Sequence, residues 1–267
     1  ETGPGFVFSS PSPDQMIAAS EKVEGGAGIL FIVKNYSGDI MNFQMASEMM
    51  TGVSETVLIN DDVAVEDSSY TTGRRGVAAT VIVEKIVGSL AETGGSLKEC
   101  KILGDKVNRN SGSMGVAFSS CTVPAAGKPT FKLGSDEMEF GVGIHGEPGR
   151  RRDKVQPAQE ITNELLGAII EDLKLENNGE ILLFVNGMGG TPLTELYLLY
   201  DNAKKTLDNK NIKIARSLVG NYCTSLEMQG ASLTITKLDQ ELKKHWDSPV
   251  HTPCLLYTSD AADDDVR

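Results

Sequence analysis

The sequence predicts an α/β protein built from two domains, each a mixed sheet flanked by helices, with the first incomplete at its N-terminus. Segments that resemble strands alternate with segments that resemble helices, which is the pattern of layered α/β folds. The length of 267 residues corresponds to about two domains of ordinary size. The stretch Asn108–Ser113 is small and polar, as domain boundaries often are. We therefore place a first domain at residues 1–110 and a second at residues 111–253.

The predicted first domain contains a buried strand, a polar loop and several helices. The continuous apolar run Gly28–Val33 is typical of a strand covered on both faces, and the polar segment Lys34–Asp39 after it predicts a loop. Ser96 and Glu99 form a capping-box pattern that predicts the start of a helix. The other elements predicted here are a helix at Met41–Met50, a strand at Thr56–Asn60 and a helix at Gly76–Ala91.

The predicted second domain alternates strands with helices in the same way. Thr191 and Pro192 predict a helix N-terminus, because threonine is a frequent N-cap and proline a frequent first helical residue. The predicted strands are Met114–Phe118, Met138–Ile144, Glu180–Val185, Ile212–Leu218 and Ala231–Lys237. The predicted helices are Gln156–Leu173, a helix from Pro192 to about Leu207, and Leu238–Trp246.

Both ends of the chain look foreign to this pattern. Glu1 begins the chain abruptly, without an opening strand. Residues 254–267 show neither strand nor helix periodicity and include three consecutive aspartates, so we predict a non-native or disordered tail. Together these features predict that the chain is a fragment of a longer protein.

The composition excludes several classes of partner. The chain has 25 basic and 37 acidic residues, a net charge of −12, whereas nucleic acids and anionic membranes need a positively charged surface. No apolar stretch reaches the ~18 residues of a membrane span and no signal pattern opens the chain, so we expect a cytoplasmic protein. The four cysteines lack close pairs and the three histidines lack paired spacing, which predicts reduced, buried thiols and no metal site.

One glycine pattern carries a candidate functional histidine. Residues Gly141–Gly146 match the formal G-x-G-x-x-G pattern of dinucleotide sites. The residues that follow, Glu147–Gly149, predict a turn where a dinucleotide site needs a helix, so we disfavour this function. What remains is His145, flanked by glycines near the carboxyl end of a strand, where open α/β sheets bind ligands. Two interpretations stay open on these residues alone: a structural histidine in a tight turn, and a catalytic histidine.

Lys34 and Asp39 form a second candidate site. They place an ammonium and a carboxylate at the end of another apolar strand. The alternative is a solvated lysine and an aspartate that stabilises a turn or caps a helix. The arginines of Arg74–Arg75 and Arg150–Arg152 are interpreted as solvated faces or local salt bridges. The segment Gly187–Gly190, before a helix, is consistent with a phosphate loop and equally with a sharp strand-to-helix turn.

Longer segments resemble one known family. The matching segments are FSSPSPDQ (8–15), VKNYSGDIMNF (33–43), DDVAVEDSSYTTGRRGVAAT (61–80), CTVPAAGKPTF (121–131), EMEFGVGIHGEPG (137–149), NGMGGTPLTELY (186–197) and GNYCTSLEMQGAS (220–232). In this order they resemble the substrate-binding subunit, or the equivalent domain, of the dihydroxyacetone kinase family, from about Phe6 to Pro253. The resemblance implies that the chain is the dihydroxyacetone-binding component of a phosphotransferase.

The resemblance also implies roles for the candidate residues. His145 matches the family's nucleophile, which attacks the ketone of dihydroxyacetone and holds it as a covalent hemiaminal while a terminal hydroxyl is phosphorylated. Lys34 matches a residue that hydrogen-bonds the substrate, and Asp39 matches the general acid/base. An upstream glycine-rich loop, which carries a further histidine in the family, has no counterpart here, so we expect little activity from this fragment alone.

The same resemblance implies the partners. A separate helical subunit or domain carries the nucleotide and Mg²⁺, and it uses ATP directly or an ADP recharged through a phosphoenolpyruvate-fed phosphocarrier. This chain is therefore expected to bind no cofactor or metal itself, and to form a homodimer. The alternative function is a regulatory paralogue that senses dihydroxyacetone without catalysis. Asp39 and His145 favour the kinase, because a pure sensor has no need of a general base.

Overall fold

The computed structural model describes residues 7–65 and 73–257. Its helices are α1 (Pro13–Val23), α2 (Ser37–Met49), α3 (Ala79–Glu92), α4 (Leu97–Arg109), α5 (Ala158–Leu173), α6 (Leu193–Asn209) and α7 (Gln240–Trp246). Its strands are β1 (Ile29–Lys34), β2 (Ser54–Ile59), β3 (Ser111–Ala117), β4 (Thr122–Val123), β5 (Lys128–Pro129), β6 (Glu137–Phe140), β7 (Arg151–Lys154), β8 (Glu180–Gly187), β9 (Lys213–Gly220), β10 (Gly230–Lys237), β11 (Val250–His251) and β12 (Leu256–Tyr257).

The strands form one large mixed sheet and one small parallel sheet. The large sheet has six strands in the order β7-β6-β3-β10-β8-β9, in which β8 and β9 pair parallel and the other neighbours pair antiparallel. In the first half of the chain β1 and β2 pair parallel. The hairpins β4–β5 and β11–β12 lie outside both sheets. The predicted α/β fold, with helices flanking a mixed sheet, is confirmed.

Strand β1 is covered on both faces, as its continuous apolar run predicts. On one face Ile29, Phe31 and Val33 are buried and pack with Phe43 of α2. On the other face Leu30 and Ile32 pack against the buried cluster to which α3 and α4 contribute residues. Because neither face contacts water freely, polar side chains are confined to the end of the strand.

Helices α3 and α4 lie between the two sheets. Val57 of β2 shares one buried cluster with Ile82 of α3, Leu103 of α4 and Phe184 of β8. Trp246 of α7 packs into the same cluster. The other face of the large sheet is covered by α5 and α6. Strand β3 begins at Ser111, where we place the start of the second domain, although the division into domains stays a prediction.

Several predicted boundaries differ from the structure. The segment predicted as a loop before Met41 already begins α2 at Ser37. The strand predicted at Met138–Ile144 ends at Phe140, so that residues 141–150 form a turn. Thr191 does not cap α6, because its hydroxyl bonds the backbone of Gly230 in β10. Helix α1 was not predicted, although Ser12 forms a capping box at its start.

The arginine clusters and the tail also need correction. Arg75 is fully buried rather than solvated, and it forms the other alternative predicted for it, a salt bridge, with Asp62. In the other cluster Arg151 pairs with Glu164, which confirms a local salt bridge. Arg151 also lies in strand β7, which was not predicted. In the predicted tail, Leu256–Tyr257 forms strand β12 and pairs with β11. The remainder of that tail, residues 258–267, lies outside the described residues.

The cysteines are free thiols, as predicted, but they are not all buried. Cys100 and Cys121 are buried, Cys223 is half-buried and Cys254 is exposed. None of the helices in the described part of the chain is both long and apolar enough to cross a bilayer.

Candidate functional site

The structure brings the three candidate residues into one cleft. The cleft has a volume of about 630 Å³. Lys34 and Asp39 line it from the first half of the chain, and His145 lines it from the turn after β6. The remaining lining residues are Phe8, Ser9, Ser10, Pro11, Tyr36, Ser37, Gly38 and Glu147. Residues more than a hundred positions apart therefore face the same small volume.

Strand β1 and helix α2 position Lys34 and Asp39. Lys34 is the last residue of β1, and Asp39 lies in the first turn of α2, where the helix dipole favours a negative charge. The wall of the cleft formed by residues 8–11 approaches this turn closely. A Cβ at Gly38 would lie 2.7 Å from Ser10 Oγ, and Asn42 Nδ2 donates to Pro11 O at 2.8 Å. The first turn of α2 therefore lies in close contact with this wall at Gly38.

A short turn presents His145 to the cleft. Gly143 N–H donates to Glu147 O at 3.1 Å, and Gly146 N–H donates to Gly143 O at 3.0 Å. Gly146 has a φ of +75°, and a Cβ there would lie 2.4 Å from Thr130 Oγ1. Both features require glycine at 146. The His145 side chain stays 28% exposed, so a ligand in the cleft can reach it.

The imidazole of His145 is held on three sides. Its Nδ1 lies 3.1 Å from Glu147 Oε1. The rings of Phe8 and Tyr36 contact it edge-on, with centroids 4.9 and 4.6 Å away. No residue in the described ranges hydrogen-bonds the other ring nitrogen, Nε2. The ring is therefore fixed in orientation, with Nε2 available to a ligand.

Glu147 is a functional candidate that our sequence analysis missed. Its carboxylate is buried, and its second oxygen, Oε2, accepts the His145 N–H at 3.0 Å. Burial alone raises the pKa of Glu147, but the hydrogen bond from His145 and the charges of His145 and Arg75 lower that pKa below its ordinary value. An ionised carboxylate accepts a hydrogen bond from Nδ1–H, so that in the uncharged ring the lone pair lies on Nε2. The position directly after His145-Gly146 was the only signal in the sequence.

Tyr36 is a second residue that the sequence analysis missed. Its side chain is buried beside His145, and its hydroxyl has no hydrogen-bond partner among residues 7–65 and 73–257. Burial, together with the nearby negative charge of Glu147, raises the pKa of Tyr36 well above its ordinary value. Tyr36 is therefore neutral and contributes an apolar ring surface to the wall of the cleft.

The other glycine patterns of the sequence form turns in the part of the chain that the structure describes. The formal dinucleotide pattern lies within the turn that carries His145; β7 follows it, and the next helix, α5, begins at Ala158. Gly190 N–H donates to Met228 O at 2.9 Å, and a Cβ at Gly189 would lie 1.8 Å from Leu226 O, which is the geometry of a tightly packed turn. Within the described ranges no group of three or more histidine, cysteine, aspartate or glutamate side chains is placed to hold a metal ion.

Fold and cleft together define an α/β protein with a polar cleft at the end of a strand, in which an imidazole, an ammonium and carboxylates face a volume suited to a small polar molecule. The chain belongs to the Dak1 domain family, whose model matches residues 2–254. This match confirms the predicted resemblance to the substrate-binding subunit of dihydroxyacetone kinases.

Relatives of the chain include bacterial kinase subunits. The PTS-dependent dihydroxyacetone kinase 1, dihydroxyacetone-binding subunit DhaK, of Listeria innocua is 49% identical and is matched over 89% of this chain and 73% of its own length. The corresponding PEP-dependent subunit of Escherichia coli is 44% identical, over 94% of this chain and 78% of its own length. Among solved structures, the dihydroxyacetone kinase operon co-activator Dha-DhaQ has a TM-score of 0.87 at 30% identity, over 94% of this chain and 79% of its own.

Proposed function

We propose that this chain is the dihydroxyacetone-binding component of a dihydroxyacetone kinase, and that His145 holds the ketone as a covalent hemiaminal. One observation carries the proposal: the cleft brings His145, with Nε2 unpartnered among the described residues, together with Lys34 and Asp39. The names of the two bacterial relatives support dihydroxyacetone as the ligand.

The covalent step uses the His145–Glu147 pair. The Nε2 lone pair of His145 adds to the carbonyl carbon, and the carbonyl π electrons move to oxygen. The ring then loses its Nδ1 proton to Glu147. Glu147 releases one proton to solvent and the new alkoxide takes one up from solvent, so the step consumes no proton overall. Because the substrate is small and offers few contacts, a covalent bond fixes its position better than hydrogen bonds alone. Glycerol has no carbonyl, so the same step excludes it.

Phosphoryl transfer then uses the two residues from the first half of the chain. Lys34 donates a hydrogen bond to a substrate oxygen, and Asp39 accepts the proton of the terminal hydroxyl as that oxygen attacks phosphorus. The transferred group comes from a Mg²⁺-nucleotide on a separate helical subunit or domain. The names of the bacterial relatives, PTS-dependent and PEP-dependent, favour a donor recharged from phosphoenolpyruvate. A cytoplasmic homodimer remains part of this proposal.

A second candidate function is the sensing of dihydroxyacetone without catalysis. The solved structure with a TM-score of 0.87 is that of an operon co-activator, so this fold also occurs in a regulatory protein. Both candidates need His145 and bind the same ligand. Only the kinase needs Asp39 as a base, which makes phosphoryl transfer in the presence of the nucleotide-carrying partner the distinguishing measurement.

The test is the detection of the adduct. Dihydroxyacetone labelled with ¹³C at the carbonyl is added to the protein, and the carbonyl signal is expected to be replaced by that of a tetrahedral carbon. With His145→Ala the carbonyl signal should persist unchanged. The matched control His251→Ala, which replaces an exposed histidine, should form the adduct normally. An adduct that survives His145→Ala would overturn the assignment of the nucleophile.

A further inference from the structure

Arg75 connects the two ends of the turn that carries His145. Its guanidinium is fully buried, and Nε and Nη2 each lie 2.7 Å from Asp62 Oδ2. Nη2 also donates to Gly141 O at 2.6 Å, and Nη1 donates to Pro148 O at 3.3 Å. Gly141 and Pro148 lie on either side of His145, so one side chain spans the base of the turn.

Asp62 fixes the direction of the Arg75 guanidinium. The other carboxylate oxygen of Asp62 accepts the Ala64 N–H at 2.9 Å, and Asp62 N–H donates to Arg75 O at 3.1 Å. Both residues of the ion pair are thus tied to the backbone. A planar guanidinium with five donors suits this position, because it meets one carboxylate and two carbonyls at the same time.

The guanidinium also lies against Glu147. A Cβ at Gly143 would lie 2.0 Å from Glu147 Oε2 and 2.8 Å from Arg75 Nη1, so both groups approach the same point of the turn. The positive charge of Arg75 contributes to the lowered pKa of Glu147. The titratable and charged groups that face Glu147 are His145 in its own turn, Arg75 beneath it and Tyr36 from the start of α2, with Asp62 behind Arg75.

We propose that Arg75 is a positioning residue for His145: by bonding both ends of the turn and facing Glu147, it fixes the ring tautomer in which Nε2 carries the lone pair. The inference rests on the proposed function only where it assumes that this lone pair attacks the carbonyl carbon of the ligand. The tautomer itself is a property of the free protein, and it is measured without substrate.

The experiment is ¹⁵N NMR of the histidine side chains at neutral to mildly alkaline pH. The chain has three histidines, so comparison with His145→Ala assigns the signals of that ring. The variants are Arg75→Gln and Arg75→Lys. The matched control is Arg74→Gln, which removes the neighbouring arginine, a partner of Asp172 on α5, and changes the net charge equally.

The parent protein is expected to show His145 with hydrogen on Nδ1 and a bare Nε2. In Arg75→Gln the ratio of this tautomer to the other should fall by about tenfold, the size expected for one weakened charge-assisted hydrogen bond. Arg75→Lys should give a smaller fall, because one ammonium keeps the charge but does not reach all three acceptors. Arg74→Gln should leave the ratio unchanged.

A double variant keeps the test decisive if Arg75→Gln does not fold. Arg75→Gln combined with Asp62→Asn removes both charges of the Arg75–Asp62 ion pair, and circular dichroism and thermal unfolding establish that the variant is folded. The proposal predicts the same tenfold fall in this background. An unchanged tautomer ratio in either folded variant would overturn it, and so would an equal change with Arg74→Gln. A bare Nε2 that nevertheless forms no adduct would instead refute the proposed function and leave the role of Arg75 standing.

Discussion

Replacing Glu147 by glutamine separates the two contacts of its carboxylate. In the parent protein Oε1 faces His145 Nδ1 at 3.1 Å and Oε2 accepts the His145 N–H at 3.0 Å, so both oxygens act as acceptors. Glutamine has the same shape but only one oxygen. If that oxygen keeps the backbone N–H, the amide NH₂ faces Nδ1, and Nδ1 must become the acceptor. The ring hydrogen then moves to Nε2 and blocks the proposed nucleophile.

The size of the effect follows from the opposite orientation of the amide. To restore a bare Nε2, the amide of Glu147→Gln must flip, which sets its NH₂ against the buried His145 N–H. Leaving that donor unpaired costs about 2–3 kcal/mol. At about 1.4 kcal/mol per factor of ten, the rate of adduct formation should fall by roughly 30- to 150-fold.

The assay is the rate of appearance of the tetrahedral ¹³C signal from labelled dihydroxyacetone, together with the ¹⁵N tautomer of His145 before substrate is added. Glu160→Gln, an exposed change of the same chemistry, is the control and should react at the parent rate. A Glu147→Gln protein that reacts within a factor of three of the parent would refute the reasoning. A slow reaction with an unchanged tautomer would show that Glu147 acts in another way.

Three further predictions concern turnover, packing and pH. Asp39→Asn should keep the adduct but slow phosphoryl transfer by about 10²- to 10⁴-fold in an assay with the nucleotide-carrying partner, and loss of the adduct at an unchanged turnover rate would contradict its role as base. Gly149→Ala would place a Cβ 1.9 Å from Phe140 O, so urea unfolding should show a loss of about 1–3 kcal/mol, whereas Gly167→Ala, in open space on α5, should gain up to about 1 kcal/mol; equal effects would refute the steric argument. Burial, only partly opposed by the charge of Arg75, raises the pKa of Asp62 to about 6, so the folded protein binds this proton more tightly than the unfolded chain does. Between pH 7.5 and 5 the parent should therefore gain about 1 kcal/mol of unfolding free energy relative to Asp62→Asn, and a relative loss would contradict the direction of this pKa shift.

Local sequence signals predicted most of the regular elements. The capping box of α1 was overlooked, and other errors lie where distant contacts decide. The capping box of Ser96 forms as predicted at the start of α4. The strand that contains Phe140 stops early because Gly141 has a φ of +75° and its carbonyl is bound by Arg75, a residue 66 positions away. Ser37 resembled a turn residue because the residues that favour turns also favour helix N-termini. No pattern within a short window reveals either outcome.

The candidate site was predicted in part for the same reason. Lys34, Asp39 and His145 were found because each follows an apolar run and matches a family segment. The salt bridge of Arg75 was among the alternatives predicted, but its burial was missed, because a pair of arginines in a polar stretch has the composition of a solvated surface. Its burial depends on Asp62 and on two carbonyls beyond residue 140, which only the folded chain brings together.

The helical layer between the two sheets bears on the order in which the protein folds. The cluster that joins β2 to α3 and α4 is completed by Phe184 of β8 and by Trp246 of α7, both of which follow α4 by many residues in the chain. Contacts of such long sequence separation form slowly, because the intervening loop must be closed before they contribute. During synthesis β1 can pair with β2 as soon as both strands have emerged, but the helical layer behind them stays incomplete until α7 has left the ribosome. The cleft at the end of β1 therefore lies beside a layer that only α7 completes, and nascent chains should reach their full affinity for the ligand only after α7 has emerged.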